Sequence, residues 1–222
     1  MPGEHATIYK LGGYSFIASA IFFAFGTAFE LMAGQPPSAG AEIIAWSQSS
    51  KLYLAFLNEA FFFAAIFLIP GVIALYFSLA GASPAKTAAG CGIMAVAIAL
   101  LVMLLVVQGR LIYPVYGILA SAPATAELVL AIFYGGLHAA FLLFATATLL
   151  VSLAMRNSAY GKYIAYLGIA TSVLDIVGSY QFLFGPILTI VCRGFFSAWF
   201  VAAGVGMLRM GKEANASGSN AA

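Results

Sequence analysis

Nine polar side chains sit within or at the edges of long apolar runs, and they are of the kinds that do chemistry: Glu30, Asn58, Glu59, Arg110, Glu127, Tyr134, His138, Asp175 and Arg193. Carboxylates and an imidazole exchange protons, and a guanidinium grips an anion or a carboxylate. Ionisable groups within a bilayer are expensive and generally face the bundle interior, which makes each a functional candidate. Helical phase groups them further, because residues three, four or seven apart share a face. One stripe is Glu127, Tyr134 and His138; others are Gly168, Ser172, Asp175 and Ser179, then Pro186, Thr189, Arg193 and Ser197, then Ser15, Ser19, Gly26 and Glu30. Small residues beside each charge permit close helix approach. Glu30, Glu59, Glu127 and Asp175 against Arg110 and Arg193 leave an excess of two carboxylates before His138 is counted. Protonation, a charged His138 or a bound cation would relieve it. The first pairing expected is Asp175 with Arg193, on helices joined by a tight turn.

These groups must be positioned by membrane helices. The chain has 222 residues, 64% of them hydrophobic and 7% charged, with a net charge of +2 and mean hydropathy +1.05. So few charges could not cover a water-soluble globule of this size. The low net charge and the lack of a basic tract also argue against a nucleic-acid partner. A hydrocarbon core of about 30 Å takes about 20 helical residues, and six apolar runs satisfy that length. They are Leu11–Ala33, Leu52–Ala80, Ala88–Val107, Leu128–Met155, Tyr163–Tyr180 and Phe184–Leu208. The fold class expected is all-α, a polytopic transmembrane bundle of six helices forming one domain over 1–210, with a disordered tail over 211–222.

Lys10, Lys86, Arg156, Lys162, Arg209 and Lys212 fall on one side of this layout, against Lys51 and at most Arg110 on the other. The positive-inside rule then makes both termini cytoplasmic and places the nine candidates in the outer half. The segment Gly34–Ser50, with Pro36-Pro37 followed by Ile43, Ile44 and Trp46, reads first as an ordinary interfacial loop and second as a cover over the bundle. Pro70-Gly71 should bend the second span. Tyr113-Pro114-Val115-Tyr116 breaks the chain and brings two tyrosines to the outer interface, as belt residues or as a ligand wall.

Several chemistries fail on residue type. A single intramembrane histidine, His138, excludes bis-histidine haem and histidine-rich di-iron sites. Glu59, Asp175 and His138 lack a Glu-x-x-His spacing, so neither a metal nor a cofactor is expected. Cys91 and Cys192 lie at different depths and should not pair. The phosphate loop, the dinucleotide fingerprint, the nucleophile elbow and aspartate-rich diphosphate motifs are absent. Three readings stay open. The first is a polar pocket, open to the outer face, that binds a small or lipid-like ligand with coupled protonation. The second is an enzyme using Glu59 or Asp175 as general acid on a lipid or isoprenoid, and the third is a non-catalytic partner subunit of a membrane complex. Membrane lipids are partners in each case, and self-association is left open.

The run Phe133-Tyr134-Gly135-Gly136-Leu137-His138, the turn Arg156-Asn157-Ser158 leading to Gly161-Lys162, and Leu167-Gly168-Ile169-Ala170 before Asp175 resemble a bacterial six-helix membrane family, domain of unknown function 4386, mainly over residues 125–210. That resemblance implies a bacterial inner-membrane protein of six helices with no assigned activity, and it draws attention to His138.

Overall fold

A computed structural model describes residues 2–219; side chains are described except at positions 2–4, 181, 182, 184, 186 and 217–219. Pro186, one member of the expected stripes, therefore lies outside the described side chains. Seven helices follow in order: α1 (Pro2–Ala33), α2 (Gly40–Ser49), α3 (Lys51–Leu79), α4 (Pro84–Gln108), α5 (Pro123–Met155), α6 (Gly161–Gly178) and α7 (Gln181–Ser219). Among the described residues there is no strand, only one isolated bridge between Val115 and Ile118. Five helices, α1, α3, α4, α5 and α7, are long and apolar enough to cross a membrane. The chain is a multi-pass helical membrane protein. The remaining long element, α6, has 18 residues, Lys162 and Asp175 among them, and is not one of those five.

Neighbouring helices pack in the sequence α3, α1, α7, α6, α5, α4 and back to α3. The first and last helices are therefore direct neighbours. Their contact is close: a Cβ built on Gly13 would lie 2.8 Å from the Gly204 carbonyl oxygen, and one on Gly204 would lie 2.7 Å from that of Gly13. Backbones can approach this nearly only where both residues lack a side chain. Phe16, Leu68, Met94, Phe144, Phe196, Trp199 and Phe200 fill the interior. Leu11, Phe25, Ile73, Met103 and Val173 point outward instead. In water such an apolar exterior would drive aggregation; against lipid tails it is the required surface.

The expected inward stripes hold in α1 and α6. Ser15, Ser19 and Gly26 are buried with Glu30 half-buried, and Gly168, Ser172, Asp175 and Ser179 are all buried. Two features differ from the sequence reading. Gly34–Ser50 is not a simple loop, because residues 40–49 form α2, seated on α5 and α3. Trp46 Nε1 and Ser50 Oγ donate to the Ala33 carbonyl at 2.8 and 3.1 Å, fastening α2 to the end of α1. In addition, α7 extends well past Gly211 to Ser219, while near its start it is broken at Gly185, at φ 75° and ψ 180°. That backbone region is essentially reserved for glycine. Because nothing would crowd a Cβ there, the requirement at Gly185 is conformational and not steric.

Candidate functional site

The break at Gly185 helps to open a cavity of about 820 Å³ at the end of the bundle where α1 finishes and α5 and α7 begin. Its floor is Arg193 from α7 and Glu30 from α1. Tyr134 and Glu127 of α5 form one wall, and Thr27 and Thr189 add hydroxyls on the others. Residues 34–38 and Ile43 of α2 lie over it, and Leu31, Leu130, Leu183 and Ile190 make the rest of the lining largely apolar. A volume of this size is typical of a site for one small molecule.

Arg193 is 7% exposed. Its Nη1 pairs with Glu30 Oε2, and Nη2 lies 3.4 Å from Glu30 Oε1. The guanidinium carbon is 5.6 Å from the ring centroids of both Phe61 and Phe141, one on α3 and one on α5. A guanidinium can pair through an edge and sit over aromatic rings at the same time, as it does here. The expected Asp175–Arg193 pair is thus replaced by Glu30–Arg193. Sequence neighbourhood favours α6 and α7, but the ring of helices brings α1 against the other side of α7 at the depth of Glu30.

Glu127 is exposed at the cavity wall, and its Oε1 accepts the Gly40 backbone N–H at 2.7 Å. Gly40 is the first residue of α2, so the carboxylate meets the unsatisfied donors and the positive end of that helix. The close approach requires glycine, since a Cβ on Gly40 would lie 2.4 Å from the Pro123 carbonyl oxygen.

Four of the nine expected site residues, Glu30, Glu127, Tyr134 and Arg193, line this one cavity. The other five do not line it. Asn58 is buried between α3 and α4, where its Nδ2 donates to Gln108 Oε1 and, at 2.8 Å, to the Leu105 carbonyl. Glu59 is exposed on the flank of α3 and accepts from the Tyr113 hydroxyl at 3.0 Å. Burial pushes the Tyr113 phenol up to about 12, and the bond and charge of Glu59 add to the rise. Arg110, just past the end of α4, has its Nε 3.4 Å from the Val106 carbonyl of that helix. His138 turns towards α6, with Nδ1 3.2 Å from the Ser179 carbonyl and its ring against Tyr180. Tyr116 is almost wholly exposed on the turn after α4 and does not line this cavity. Among the described residues no three His, Cys, Asp or Glu side chains converge as metal ligands, and both cysteines are free.

Asp175 is buried in α6 at 2% exposure, and its Oδ2 meets no hydrogen-bond partner among the described residues. A buried acceptor without a donor destabilises by about 1–3 kcal/mol. Asp175→Leu, in which Cγ branches as the carboxyl does, should therefore keep or raise thermal stability in detergent by about 1 kcal/mol. A loss of similar size would mean that the carboxyl is held by a partner.

The residues that sequence reasoning missed are Gly185, Gly40, Phe61 and Phe141. A Gly-Pro pair at 185–186 was the available signal for the first; the others depend on which helices meet. No protein-family model, curated protein or solved structure matches this chain.

Proposed function

We propose that this chain is a six-span inner-membrane protein with both termini cytoplasmic, whose outer cavity binds an amphiphilic, lipid-like ligand. The observation that carries the reading is the cavity itself: about 820 Å³, with a charged pair at its floor and apolar walls. Leu183 and Leu31 on its rim are exposed, which in a bilayer means contact with lipid tails and a lateral route for an alkyl chain. The sixth span in this reading is α6, whose 18 residues reach about 27 Å at helical rise. The Lys and Arg asymmetry supports the orientation, and the resemblance over residues 125–210 supports the bacterial inner membrane. The general-acid reading loses its geometric basis, because Glu59 and Asp175 do not line the cavity.

Purification from native membranes in mild detergent, followed by mass spectrometry of extracted lipids, tests this. One amphiphile should be enriched over bulk lipid in the parent protein and lost in Ala131→Trp, which puts an indole into the cavity wall. A lipid profile identical to the bulk membrane, unchanged by Ala131→Trp, would refute it.

A further inference from the structure

The ionised side chains on the cavity lining are Glu30, Glu127 and Arg193, two negative charges against one positive. Glu30 and Arg193 neutralise each other through a two-point contact. That occupies the Nη1 and Nη2 edge, Nε is buried out of reach, and the guanidinium carbon lies over the Phe61 and Phe141 rings, so Arg193 is poorly placed to meet an incoming anion. The charge that remains is Glu127. One of its oxygens is given to the Gly40 N–H. The positive end of α2 offsets about half a charge there, which still leaves the cavity mouth negative. The other polar side chains on the lining, Thr27, Gln35, Ser38, Tyr134 and Thr189, are neutral, and Thr27 and Thr189 already donate to backbone carbonyls. No Lys, and no Arg besides Arg193, lines the cavity.

Resting on the amphiphile reading above, we infer that the cavity selects a cationic amphiphile, a single alkyl chain ending in an ammonium group, with Glu127 as the residue that recognises the head. The tail lies along Leu31, Leu130 and Leu183, and the ammonium sits beside the free oxygen of Glu127. Anionic heads such as carboxylates and phosphates are repelled by that carboxylate and find no free cation. Arg193, which sequence alone offers either to an anionic group or to the Asp175 carboxylate, is held instead by Glu30.

Three probes with the same tail separate the possibilities: dodecylammonium, dodecanol and dodecanoate, each titrated by equilibrium dialysis against the full-length protein in nanodiscs of zwitterionic phosphatidylcholine, with empty nanodiscs as the blank. Saturable binding should be tightest for dodecylammonium, by about tenfold over dodecanoate, the difference expected when one head is attracted and the other repelled at a partly exposed carboxylate. In Glu127→Gln the preference for dodecylammonium over dodecanoate should fall below about threefold. The glutamine still accepts the Gly40 N–H, so α2 keeps its seat. In the parent protein the preference should also shrink as salt rises from about 0.01 to about 1 M, a readout that needs no variant. Dodecanoate binding as tightly as dodecylammonium, or a preference that survives Glu127→Gln, overturns the inference while leaving a ligand cavity. Failure of all three probes to bind saturably removes the amphiphile reading itself.

Discussion

Glu30→Gln should destabilise the folded protein by about 3 kcal/mol, the scale seen when one partner of a buried ion pair is removed. Arg193 would then remain buried with its charge uncompensated, because the faces of Phe61 and Phe141 supply only a fraction of what a carboxylate does. The sharper expectation concerns the second substitution. Adding Arg193→Gln to Glu30→Gln should raise stability above that of the single variant, since two amides can hydrogen-bond across the same gap with no net charge left behind. A double-mutant cycle read by unfolding in detergent should give a coupling of at least about 1 kcal/mol. Simple additivity of the two single effects would show that Glu30 and Arg193 do not depend on each other. The same Glu30→Gln variant frees the guanidinium, so it should also gain affinity for dodecanoate.

Gly12→Ala should loosen the α1–α3 contact and lower stability by about 1–3 kcal/mol, as overpacking does. A Cβ at position 12 would lie 2.1 Å from the Ala74 Cβ, with Met207 Sδ at 3.2 Å and the Pro70 carbonyl oxygen at 3.4 Å. Neither Cβ can rotate away, so the two helices must separate along their length. Moving the methyl group instead of adding one tests that explanation: Gly12→Ala combined with Ala74→Gly should recover most of the loss. If the paired swap is as unstable as the single change, even after about 1 kcal/mol is allowed for the glycine placed in α3, a different contact and not the meeting of the two Cβ atoms is the cause.

Much of this arrangement could be read from residues in order. The apolar runs marked the helices because bilayer thickness sets their length, and spacing marked which face of α1 and of α6 turns inward. Burial of Ser15, Ser19 and Gly26, and of Gly168, Ser172 and Asp175, follows from that spacing alone. Position within one helix, however, does not say which helix lies opposite. Arg193 found Glu30, 163 residues away, because α1 and α7 are adjacent in the ring, and no local pattern encodes that adjacency. Glu59 illustrates a second gap. It faces outward from the bundle and not inward, because almost every residue around it in α3 is apolar and there is no polar face from which to read a phase. The helix α2 was hidden for a third reason: ten residues of mixed polarity, stabilised by Glu127 and by the end of α1, carry little helical signal of their own.

The adjacency of the first and last helices also sets an order of events during synthesis. Glu30 enters the bilayer with the first span, whereas Arg193 is made 163 residues later. At about 5–20 residues per second, that separation is about 8–30 s. For that interval the carboxylate lies near one surface with no guanidinium to meet it, and the ring of helices stands open on the side that α7 will close. Arrival of Arg193 then does two things at once, closing the bundle and completing the cavity floor, so the cavity exists only once α7 has been inserted.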